Sequence, residues 1–176
     1  MTAASNIVDG MQKQLFSVKG NVFAVIDGAG MPDLLETLYR FKPPFHCLYR
    51  GELQPDIAEV APYLVQLEEG SGFTTWLLLK GLGKPFGIFL ASSSDLLSVR
   101  RHLRRLLTVH TEEGKPMLFR FYDPRVLPTF LSTCTQEELT NMFGSVACYL
   151  IPNDLELLRY QVLPPENKLS KTSLPL

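Results

Sequence analysis

The sequence predicts an α/β fold: a single layered domain with a mostly parallel sheet flanked by helices, ending in a short flexible C-terminal tail. Three observations point there. Strand-like and helix-like segments alternate along the chain, two strand segments are apolar on both faces, and no internal repeat or long linker divides the 176 residues. A strand buried on both faces belongs to a sheet covered by helices on each side, the usual setting of parallel strands. The expected organisation is an N-terminal arm over 1–20, an α/β domain over 21–163, and a disordered tail over 164–176.

"VFAVID" (22–27) is a β-branched apolar run ending in Asp-Gly, a buried strand. "GAGMPDLLETLYRF" follows as a helix, with Pro32 in the first turn and Leu34, Leu35, Leu38 and Tyr39 at helical spacing. "KPPFHCLYRGEL" (42–53) and "APYLVQL" (61–67) are extended, and "SGFTTWLLLKGL" (71–82) is a short buried helix stopping near Gly81 and Gly83. "PFGIFLAS" (85–92) is the clearest strand. The clearest helix is "SSSDLLSVRRHLRRLLTV", with a serine cap before Asp95, Leu96, Val99, Leu103, Leu106 and Leu107 on one face, and four arginines towards its C-terminal end. "MLFRFY" (117–122) is a strand, "DPRVLPTFLST" and "TQEELTNMF" are two short helices, and "GSVACYLIP" (144–152) is a strand that "LELLRYQVL" pairs with. The Pro-rich, polar "PPENKLSKTSLPL" is expected to be disordered.

Charge and composition exclude several classes of function. Seventeen basic and eighteen acidic residues leave a net charge of −1, without the basic excess of a nucleic-acid binder. No stretch approaches the ~20 apolar residues of a membrane span, and the N-terminus has no basic segment followed by an apolar one. Cys47, Cys134 and Cys148 are too few and too scattered for a disulfide framework, which fits a reducing, cytoplasmic setting.

The search for catalytic groups finds little. Asp27-Gly28-Ala29-Gly30 follows a strand and opens a helix, where free N–H groups hold phosphates, but the third glycine of the dinucleotide pattern is replaced by Asp33. The alternative is a tight turn in which Asp27 accepts local N–H bonds. "GLGKPFG" (81–87) precedes a strand and has Pro after its lysine, so it is no phosphate loop. There is no G-x-S-x-G. His46, His102 and His110 are poorly placed as bases, and Cys47 in a β-run is more simply a small hydrophobe. No His, Cys, Asp or Glu pair has metal-ligand spacing, so neither metal nor cofactor is expected. Arg100, Arg101, Arg104 and Arg105 form a positive patch that either grips an acidic partner or is a solvated helix face. Tyr39, Phe41, Phe45 and Tyr49 lie close together in sequence and are a second candidate partner surface.

The densest polar cluster is "FRFYDPRVL" (119–127). Strand alternation puts Leu118, Arg120 and Tyr122 on one face and Met117, Phe119 and Phe121 on the other. Asp123 then sits at a helix N-cap with Pro124 at the first helical position, so the Asp-Pro pair needs no substrate to explain it. Arg120 and Arg125 have Asp123, Glu112 and Asp27 as possible partners at one end of the sheet.

In order along residues 21–151, "FAVIDGAGMPDLLETLY", "APYLVQL", "GIFLASSSDLLSVRRHLRRLLTV" and "GKPMLFRFYDPRVLPTFL" resemble the type VI secretion effector adaptors, or effector chaperones, first catalogued as a domain of unknown function (DUF4123). The family pattern falls on Asp27, Pro62, Ser92, His102, Leu103, Arg120, Tyr122, Asp123, Pro124 and Arg125. The resemblance implies a non-enzymatic cytoplasmic protein that binds a cognate toxic effector and helps load it onto the VgrG spike, with neither nucleic acid nor membrane as partner. Many members carry a second, variable helical lobe after this block; here residues 152–176 follow. Two other readings stand beside it: an immunity-type protein that occludes a toxin, and a nucleotide- or phosphate-binding enzyme using the Asp27–Gly30 turn.

Overall fold

Alternation along the strand Asn21–Asp27 (β1) sends Val22, Ala24 and Ile26 into one apolar cluster and Phe23 and Val25 into another. Both clusters are buried, so β1 needs a helical layer on each side. A computed structural model, describing residues 3–153 and 155–176, shows how this is met. One layer holds Ala3–Phe16 (α1), Leu34–Phe41 (α2) and Gly72–Gly81 (α4), whose Leu15, Leu38 and Leu77 are fully buried. The other holds Leu96–Leu106 (α5), Leu127–Thr133 (α6) and Gln136–Phe143 (α7), packed through Leu103, Leu127 and Met142. A short helix, Pro55–Val60 (α3), lies before the strand Pro62–Leu67.

Among the described residues the central sheet has seven strands. Phe45–Cys47 (β2), Pro62–Leu67 (β3), β1, Gly87–Ser92 (β4), Val146–Asn153 (β7), Glu156–Leu163 (β8) and Lys168–Pro175 (β9) lie side by side in that order. Thr108–His110 (β5) and Pro116–Leu118 (β6) form a separate ribbon. Every neighbouring pair runs antiparallel, which overturns the mostly parallel sheet expected from the sequence. The mixture of helices and sheet stands, and the error has a definite source. Apolar residues on both faces record that both faces are covered; they say nothing about strand direction. The β3–α4–β4 segment does return its second strand in the direction of the first, since both oppose β1. But β1 is inserted between them, so the two strands of this crossover never pair.

Local signals place most elements. The Ser71 side chain accepts from Thr74 N and starts α4, and Thr135 with Glu138 forms a capping box on α7. The cap of α5 is Asp95 itself, accepting from Ser98 N at 2.7 Å, and not a preceding serine. Pro32 stays outside α2, which begins after Asp33 in a left-handed conformation. The expected strand 117–122 is cut short. It ends at Leu118, and Asp123 N bonds Arg120 O at 3.0 Å. That turn buries consecutive Phe121 and Tyr122 while Met117 and Leu118 stay exposed, so the expected alternation of faces fails.

Both chain ends differ from expectation. The expected N-terminal arm contains α1, which places Val8, Met11 and Leu15 in the core. The expected disordered tail contains β9, which pairs with β8 from Leu163↔Lys168 to Glu156↔Pro175. It is tied further by Gln14 Nε2 donating to Pro175 O and by Leu176 N donating to Leu155 O. Its apolar residues are sparse, and its order comes from pairing with β8. Removing residues 164–176 unpairs one whole edge of β8. A chain ending at Leu163 is expected to lose about 2 kcal/mol or more, some 4–8 °C in melting temperature, and to aggregate more readily. Thermal unfolding beside the full chain checks this; a disordered tail would leave both properties unchanged.

Candidate functional site

The family-pattern residues gather at the two ends of β1. At its C-terminal end the Asp27 carboxylate is only 6 % exposed. One oxygen accepts from Ala29 N at 3.2 Å and the other from Arg120 Nη2 at 2.5 Å. Asp27 lies opposite Pro62 in the β1–β3 register, and Pro62 O accepts from Leu48 N. Arg120 also stands over the Tyr122 ring, 5.8 Å from its centroid. Burial, and then hydrogen bonding with Tyr49, push the Tyr122 hydroxyl well above its ordinary pKa, so it stays protonated.

The next three residues close this corner. Asp123 Oδ1 accepts from both Arg125 N and Nε, and Oδ2 accepts from Arg125 Nη2 at 2.7 Å. The Arg125 guanidinium therefore holds the Asp123 carboxyl below the usual carboxylate range, against an opposing effect of burial. Asp123 is not the N-cap of a helix. Its side chain closes a turn onto Arg125, its carbonyl accepts from Val126 N and Leu127 N, and α6 begins three residues after Pro124. Of the possible partners, Arg120 takes Asp27 and Arg125 takes Asp123.

The remaining pattern residues work at the opposite end of β1. Ser92, which pairs with Asn21, donates its hydroxyl to Ser145 O at 2.7 Å and accepts from Ser94 N. His102 Nε2 lies 3.0 Å from Met142 O, which also accepts from the Tyr149 hydroxyl. Met142 is in the last turn of α7, where carbonyls have no helical partner, so His102 and Tyr149 satisfy one that would otherwise be orphaned. Gly144 makes this possible. At φ +50° it lets the His102 ring approach so closely that a Cβ there would lie 2.5 Å from Cε1. Burial first, and Arg105 after it, lower the His102 pKa against the opposing effect of the Met142 bond, so the ring is neutral and Nε2–H donates. Leu103 is fully buried beside it. Ser92 and His102 thus latch the α7–β7 turn.

The candidate partner surfaces are divided. Arg104 turns inward and donates to the carbonyls of Cys47, Leu48 and Tyr49, so it holds the loop after β2. Arg101 bonds Ser98 on its own helix, Arg105 is exposed, and Arg100 is half-buried. Tyr39, 65 % exposed, meets Phe45 edge-on at 5.8 Å, whereas Phe41 covers Gly72 and Tyr49 belongs to the Tyr122 corner. The Asp27–Gly30 turn is occupied by the fold. Gly28 N donates to Ala61 O, Ala29 N to Asp27, and a Cβ on Gly28 would lie 2.4 Å from Glu59 O. Two N–H groups a phosphate would need are already spent. Among the described residues no three metal-ligating side chains cluster, and no helix is long and apolar enough to cross a membrane.

One feature was missed in the sequence. A groove of about 630 Å³ runs between α2, α3 and the Gly28–Gly30 turn. The signal was present in "PDIAEV": Ile57 and Val60 are three apart on one helical face, and Glu59 directly precedes Val60.

The family model for a domain of unknown function, DUF4123, matches residues 22–141. The chain belongs to that family. All ten pattern residues lie inside the match, whereas α1 and β7–β9 lie outside it. A similar curated protein is accessory protein VasW of Vibrio cholerae serotype O1, 28% identical over 117 residues. The alignment covers 65% of this chain and 39% of VasW, so the chain corresponds to well under half of that relative's length. No solved structure matches.

Two outcomes test the two ends of β1 in this DUF4123 chain. Replacing Arg120 with Met strands the Asp27 carboxylate and is expected to cost ~1–3 kcal/mol in urea unfolding. Asp27→Asn added to Arg120→Met is expected to recover part of that loss, and additive costs would show that the pair is uncoupled. For His102 the folded pKa lies below the unfolded value of ~6.5, so the unfolded chain binds more protons in acid. This contribution to stability is present above ~6.5 and is lost as the pH falls through and below it. His102→Gln, which keeps a donor for Met142 O, is expected to flatten the decline in urea midpoint between pH 7.5 and 5.

Proposed function

We propose that this protein is a non-enzymatic, cytoplasmic adaptor of type VI secretion, which binds a cognate toxic effector and helps load it onto the VgrG spike. The observation that carries this reading is the DUF4123 match over residues 22–141. The geometry supports it from the other side. Asp27, Ser92, His102, Arg120, Asp123 and Arg125 are each engaged in bonds within the chain. The pattern therefore describes a scaffold, as suits a family whose members bind different cargo. The similarity to VasW, an accessory protein, agrees with a supporting role.

An adaptor is needed for export and an immunity protein is needed for survival, so one deletion separates them. Without this gene, secretion of the cognate effector is expected to fall to background while the producing cell remains viable, and the two purified proteins are expected to form a stable complex. Normal export in the deletion strain would overturn the proposal. Self-intoxication with export intact would favour the immunity reading.

A further inference from the structure

The groove between α2 and α3 has features that the fold alone does not require. None of the side chains of α3 is buried. Six residues of helix cannot sustain themselves in water. This one is held by its backbone, through Tyr63 Oη donating to Ala58 O and Gly28 N donating to Ala61 O, immediately after the helix. Its apolar side chains are thereby free to face outward: Ile57 is 42 % exposed and Val60 46 %. Val60 lines the groove from α3 and Tyr39 from α2, and Leu35 and Pro32 continue its lining. Two large, well-exposed apolar side chains, Tyr39 and Val60, set around one concavity exceed the scattered exposure of an ordinary surface.

The rim has a definite sign. Glu59, Glu36 and Asp33 border the groove. Glu36 is paired with Arg40 at 2.7 Å and Asp33 with Lys80 only at 3.9 Å, both on exposed side chains. Glu59 makes no ion pair among the described residues. An apolar floor with an excess of carboxylates at its edge complements an apolar anchor flanked by cations. The volume of about 630 Å³ suits a few side chains of a peptide segment.

We propose that the α2–α3 groove is the docking site for a segment of the partner protein in which one or two large apolar residues are flanked by lysine or arginine. This rests on the adaptor reading and assigns its binding surface. The apolar anchor supplies affinity, while the acidic rim speeds encounter and fixes the orientation of the segment.

The test uses the full chain and the full-length cognate effector, with affinity measured at low and high salt. Tyr39→Ala with Val60→Glu is expected to weaken binding by about tenfold or more. Glu59→Lys with Glu36→Lys is expected to weaken it by a similar factor and to reduce its salt dependence. Unchanged melting temperatures show that the variants remain folded, and Arg101→Ala on the opposite layer is the control expected to bind normally. Overlapping peptides from the effector locate the segment, with the tightest binders expected to carry the cationic–apolar pattern. Wild-type affinity in both groove variants, or tight binding confined to acidic peptides, would overturn the groove assignment while leaving the adaptor reading intact. No complex with the wild-type chain would overturn both.

Discussion

Arg120 Nη2 meets the Asp27 carboxylate 2.5 Å away, at the end of the central strand where that carboxylate is almost wholly removed from water. A buried charge without a partner costs several kcal/mol, roughly the scale of a domain's whole stability margin. The surrounding chain is arranged to supply one. To present Arg120, the chain leaves β6 after Leu118 and turns sharply; the turn then places Phe121 and Tyr122 together in the core beside α6. Asp123 and Arg125 close the same turn. The ion pair thus joins the first strand of the sheet to the entry of the α6–α7 layer, 93 residues later in sequence.

At the other end of β1 the same problem is solved with neutral groups. Ser92 and His102 satisfy carbonyls of the segment leaving α7, with Tyr149 sharing one of them. The strand is pinned at both ends by polar contacts, and the layer of α5, α6 and α7 is fixed against it. Pattern residues spent on internal bonds are unavailable for cargo. A surface that discriminates between partners therefore belongs on elements the scaffold does not need, and α3, with nothing buried, is such an element.

Much of this was legible in the sequence, unevenly and for physical reasons. β1, β4, α5 and α7 follow from apolar periodicity and from capping residues acting within a few positions. Asp27 and Arg120 were recognisable as candidates, but the long-range contact between them was one of several possible pairings. Strand direction was misjudged because burial on both faces of a strand reports on its cover alone. The Asp123 N-cap was misplaced because an aspartate before proline serves a turn as readily as a helix start. The order of β9 was invisible because its stability comes from β8, and α3 shows only the two large apolar positions Ile57 and Val60 in six residues, too few to mark a helix by periodicity.

Hydrogen exchange of the chain, alone and bound to its cognate effector, tests the central claim most directly. The claim is that the Asp27–Arg120 corner is scaffold and the α2–α3 face is the recognition surface. On binding, amides of residues 28–41 and 55–61 are expected to gain protection, while those of 119–127, already held by the corner, are expected to exchange as in the free chain. New protection concentrated in 119–127, with the α2–α3 face unchanged, would contradict it.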